Sequence, residues 1–82
     1  MGFIVGDTIT GLKGNGYNWT THNSIMRVIG GREETGRENV IRVEIIKSSE
    51  ESPMGDCIVG RVYEVRNSKN RFKLVSNSIK KL

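Results

Sequence analysis

The sequence predicts an all-β domain, a small five-stranded barrel with a short basic C-terminal tail, and three observations point to it. No stretch of about ten or more residues keeps a 3.6-residue apolar period, which argues against a helical fold. About five short runs alternate apolar and polar residues, the period of a half-buried strand. Turn residues separate these runs, and closing so few strands into a barrel disposes of exposed edges.

The elements follow in order. Gly6-Asp7 marks an entry turn in which Asp7 can bond its own backbone, and Thr8 to Leu12 then alternates as a first strand. Residues 13–24 are rich in Gly, Asn and Thr and read as a long loop that carries Tyr17 and Trp19. Ile25 to Ile29 is a second strand, ended by Gly30-Gly31, and Arg32 to Asn39 is a charged connection. Val40 to Lys47 is the clearest strand, with Ile41, Val43 and Ile45 on one face and Arg42 and Glu44 on the other. Ser48 to Asp56 is a polar loop with Pro53 and Gly55. Ile58 to Arg66 reads as a fourth strand, with Val59, Arg61, Tyr63 and Val65 on one side. After the turn Asn67-Ser68-Lys69-Asn70, Phe72-Lys73-Leu74 is a short fifth strand with both apolar residues on one face. One domain, residues 1–75, and a tail, residues 76–82, account for the chain.

Composition removes several function classes. At 35% apolar residues the core is lean and draws on a short list of side chains. Cys57 is the only cysteine, which rules out an intrachain disulfide and fits a cytoplasmic setting. One Cys and one His, His22, fall short of a zinc site, and no metal or other cofactor is expected. No apolar run approaches the roughly 20 residues of a membrane span, and the first residues lack the features of a secretion signal. The net charge of +4 is uneven. Residues 61–82 hold seven basic residues and the single acid Glu64, a local charge of +6, whereas residues 1–60 hold six basic and eight acidic residues, a charge of −2. A basic C-terminal third attracts nucleic acid or an acidic protein surface.

Five sequence blocks, taken in order, resemble a known group. They are Phe3-x-Val5-Gly6-Asp7, Tyr17-x-x-Thr20, Ile41-x-Val43, Gly60-x-x-Tyr63-x-Val65 and Phe72-x-Leu74. Their order and spacing resemble the small SH3-like β-barrel proteins encoded by phages and prophages, over residues 3–75. The resemblance implies an SH3-like barrel of phage origin and supplies no activity. The segment Gly36 to Asn39 and the tail after Val75 match it least.

Catalysis finds little support. Cys57 follows Asp56, whose charge raises a thiol pKa, and nothing local activates His22. Gly14-Asn15-Gly16 and Gly30-Gly31 lack the Lys-Ser/Thr and the following helix of a phosphate-binding loop. Glu33-Glu34 and Glu50-Glu51 lie in polar loops with no apolar flank to raise a carboxyl pKa. No enzyme is expected.

Binding is the stronger expectation. Tyr17 and Trp19, two residues apart in an otherwise small and polar loop, either close one end of the core or form an exposed contact; Trp19 is the better anchor. Arg61, Arg66, Lys69, Arg71 and Lys73 would flank it, the last four gathering at one rim with Lys80 and Lys81, unless they serve only as a solubilising surface. Two functions follow. The first is a non-catalytic phage accessory protein that docks on a host protein and modulates or inhibits it, as in host takeover or anti-defence. The alternative is a nucleic-acid-binding module that pairs the basic rim with stacking aromatics. Monomer and homodimer both stay open.

Overall fold

A computed structural model describes residues 2–17, 20, 24–48 and 58–76. The expectations for Trp19, His22, Cys57, Glu50, Glu51, Lys80 and Lys81, and for most of the polar loop and the tail, lie outside the described residues. The fold is all-β: strands β1 (Thr8–Gly11), β2 (Ile25–Gly30), β3 (Val40–Lys47), β4 (Val62–Arg66) and β5 (Phe72–Ser76) form one antiparallel sheet in the order β4-β3-β2-β1-β5.

Alternation decides which face is inside. In β3, Ile41, Val43 and Ile45 are buried and the residues between them are not, as a period of two requires. Ile9 from β1, Met26 and Val28 from β2, Val65 from β4 and Phe72 from β5 join them, with Phe3 from the entry segment. Tyr17 and Tyr63 pack against this cluster.

The entry turn is held as its sequence requires. The Asp7 carboxylate accepts the Ile4 N–H (3.0 Å), Asp7 N–H returns to the Ile4 carbonyl (3.0 Å), and Gly6 takes a φ of 100°, where a side chain would strain. Gly6 and Asp7 also exchange bonds with Val28, which extends the β1–β2 ladder toward the N-terminus.

The sheet curls but is not closed by a ladder. The all-β expectation holds, and the strand order is linear, with β4 and β5 as the two edges of the sheet. Register shifts in the β1–β5 and β2–β3 pairs bend the strands, as bulges do. The curl brings the edges together at one end, where residues 67–71 join β4 to β5. There Asn67 stands in for a missing strand: its side chain accepts the Phe3 N–H (2.6 Å) and donates to the Phe3 carbonyl (3.1 Å).

Two expectations are corrected. The fourth strand begins at Val62, not Ile58, because Ile58 to Arg61 form a tight turn: Arg61 N–H bonds the Ile58 carbonyl (3.0 Å) and Gly60 has a φ of 95°. An alanine Cβ at Gly60 would meet nothing within 4 Å, so Gly60→Ala isolates the backbone cost. Its expected effect is a loss of about 1–2 kcal/mol in a urea titration. The charged connection contains a single helical turn, α1 (Arg32–Thr35). The Glu34 carboxylate reaches back to the Gly31 N–H (2.6 Å), half of a capping box, and Gly36 ends the turn with a φ of 74°. Phe72 and Leu74, two apart on β5, share a face; the core covers Phe72 and leaves Leu74 40% exposed.

Candidate functional site

The loop after β1 is built around a buried amide. Asn15 donates from Nδ2 to Thr20 Oγ1 (2.9 Å) and to the Arg71 carbonyl (2.9 Å), and its Oδ1 accepts the Tyr17 N–H (2.8 Å). Thr20 completes the turn by donating its backbone N–H (2.8 Å) and its hydroxyl (2.7 Å) to the Tyr17 carbonyl. Gly11 lies so close to Thr20 that a Cβ there would fall 2.5 Å from the Thr20 carbonyl oxygen. Arg71 answers from the other side, with Nη1 donating to the Asn15 carbonyl (2.8 Å). This polar node, tying Asn15, Tyr17 and Thr20 to the β4–β5 connection, is invisible in the sequence because its two halves are 56 residues apart.

The node positions Tyr17. Its ring stacks on Phe72 with centroids 5.9 Å apart and planes at 23°, and its hydroxyl accepts the Arg66 N–H (3.2 Å). Tyr17 therefore bridges the two sheet edges, and one ring face rests against the core. Of the two readings of this residue, closure of the core describes its placement, and only part of its surface is left for a partner.

The cations divide. Arg66, Lys69, Arg71 and Lys73 flank the β4–β5 connection, with Arg66, Lys69 and Lys73 exposed and Arg71 half-buried over the node. Arg61, exposed, precedes the opposite end of β4 and does not join them. Lys13 belongs to the group instead: Leu12 N–H bonds the Arg71 carbonyl (2.9 Å), which sets Lys13 beside the connection. Its only signal was the pairing of β1 with β5, which no local pattern reveals.

Among the described residues, ion pairing leaves this rim uncompensated. The two salt bridges among the described residues join Arg32 to Glu38 (3.6 Å) and Arg42 to Glu64 (3.0 Å). Glu64, the one acid of residues 61–82, is thus engaged by a β3 arginine. Among the described residues no carboxylate lies within ion-pair distance of Lys13, Arg66, Lys69, Arg71 or Lys73.

Apolar surface is the second feature. Ile4, Val5, Ile58, Val59, Val62, Leu74 and Val75 are all exposed, six of them as neighbouring pairs along the chain. Ile4 and Val5 line a wide cleft of about 770 Å³ between the entry segment and α1, bordered by Arg32, Glu33 and Asn67. Among the described residues its lining holds no Ser, Thr, Cys, Lys or His. No helix among the described residues is long and apolar enough to cross a membrane. Comparison with protein-family models, curated proteins and solved structures returns no match.

Proposed function

We propose that this domain is a non-catalytic docking module whose partner is a protein. The carrying observation is the division of its large apolar side chains: nine form the core, and seven of those described are exposed. A lean domain that leaves so many large apolar side chains in water gains by covering them against a protein partner. The unpaired cations at the rim add a charge preference for an acidic surface. The likeness of the sequence blocks to phage-encoded SH3-like proteins extends the proposal to an accessory protein that modulates a host protein in the host cytoplasm.

Nucleic-acid binding is the second reading, favoured by the same uncompensated rim. Against it, Tyr17 is stacked on Phe72, so one of the two expected stacking aromatics has a face already occupied. Affinity capture from host lysate, with and without nuclease and at two salt concentrations, separates the two. Docking is expected to retain one stoichiometric protein through nuclease and moderate salt. A duplex held by the five rim cations would instead weaken roughly several-hundredfold over a fourfold rise in salt; retained nucleic acid with that slope would reverse the ranking.

A further inference from the structure

The edge strand β5 is both open and cationic. Leu12 N–H bonds the Arg71 carbonyl (2.9 Å), so the backbone groups of Arg71 and Lys73 turn toward β1 and those of Phe72 and Leu74 turn outward. The outward Phe72 N–H is already engaged, donating to the Ser68 carbonyl (3.2 Å). Leu74 is next along the edge, and no bond beyond the β1 ladder involves it among the described residues. Its side chain is 40% exposed and that of Val75 is 51% exposed. Every charge from Asn67 to Ser76 is positive: Lys69, Arg71 and Lys73.

The other edge differs. The outward Arg66 N–H of β4 is covered by the Tyr17 hydroxyl, and Glu64 on that strand is paired with Arg42. Each edge thus has one outward N–H engaged, Phe72 on β5 and Arg66 on β4, and what separates the edges is charge: β5 and the turn before it carry only cations, whereas β4 carries Glu64.

We propose that the β5 edge accepts an acidic, extended segment of a partner protein as an added strand. This rests on the docking reading and names its partner chemistry. Strand addition draws affinity from main-chain bonds and specificity from alternate side chains. Lysines on an edge deter neutral strands, and an acidic strand turns the same charges into attraction. A second copy of this chain is disfavoured, since edge-to-edge pairing would set one row of cations beside another.

The test uses the full chain and a labelled, end-capped peptide of three Glu-Val repeats. Its controls are the same peptide N-methylated at alternate residues, a Lys-Val peptide, and a single-stranded oligonucleotide of equal charge. The Glu-Val peptide is expected to bind, with affinity falling about tenfold on N-methylation, which removes edge bonds and keeps the charge. Lys73→Glu, at an exposed site, is expected to weaken it by a similar factor. Equal binding of the N-methylated or the Lys-Val peptide, or tighter binding of the oligonucleotide, overturns the proposal. The two readings fail separately. A captured protein that tolerates both Lys73→Glu and saturating peptide sinks the edge and leaves docking standing, whereas a wild-type column that retains no protein sinks both.

Discussion

Phe72→Ala is expected to remove about 3–5 kcal/mol of stability, the cost of emptying a buried aromatic site. A domain of this size has roughly 4–12 kcal/mol in total, so the variant is expected to sit at or near unfolding at room temperature. Three losses coincide at this position. Phe72 is 1% exposed at the start of β5, its ring is the surface on which Tyr17 stacks, and it faces Gly11 across the β1–β5 ladder, where no Cβ is available to fill the space. Phe72→Leu keeps most of the volume and is expected to cost about 1–2 kcal/mol. Urea titrations followed by circular dichroism read both; a Phe72→Ala loss no larger than that of Phe72→Leu would mean that Phe72 is not central to the core.

Asn15→Ala is expected to cost about 2–3 kcal/mol although it removes no apolar area. Asn15 is 4% exposed and makes three hydrogen bonds, to Thr20, the Arg71 carbonyl and the Tyr17 N–H. Each bond contributes about 0.5–1.5 kcal/mol, and deleting the amide leaves buried partners unsatisfied. For a domain of this length, that loss lowers the melting temperature by roughly 8–20 °C. Asn15→Asp separates chemistry from shape. It keeps the acceptor for Tyr17 but sets a buried carboxylate against the Thr20 hydroxyl oxygen and the Arg71 carbonyl. It is expected to be at least as destabilising as alanine at neutral pH. A near-neutral Asn15→Asp would show that the amide donor is dispensable.

Inward faces and turns built by side-chain chemistry were legible in the sequence; short backbone turns and nonlocal pairings were not. Ile41, Val43 and Ile45 announce an inward face by their spacing, and Gly6-Asp7 announces its turn by side-chain chemistry. α1 escaped notice because one turn is too short to show a helical period. The start of β4 was misplaced because Ile58 to Arg66 alternates well enough to pass for strand, while the positive φ of Gly60 makes its first part a turn. The basic rim was half legible. Arg66 to Lys73 are neighbours along the chain, but admitting Lys13 and excluding Arg61 required strand pairings that alternation does not encode. Nor can alternation say whether the first and last edges of a sheet meet.

That last question gives Tyr17 a further meaning. A ring of strands closed by ladders can be parted only by breaking a row of backbone bonds. Here, among the described residues, Tyr17 clasps β4 and β5, holding an amide with its oxygen and an aromatic with its face, beside the chain connection, the Asn67 bracket on Phe3 and the shared core. Parting these edges leaves every strand pair intact. The fold therefore has a seam, and behind it lie Phe72 and Val65. Opening it would bare apolar side chains without breaking a strand ladder.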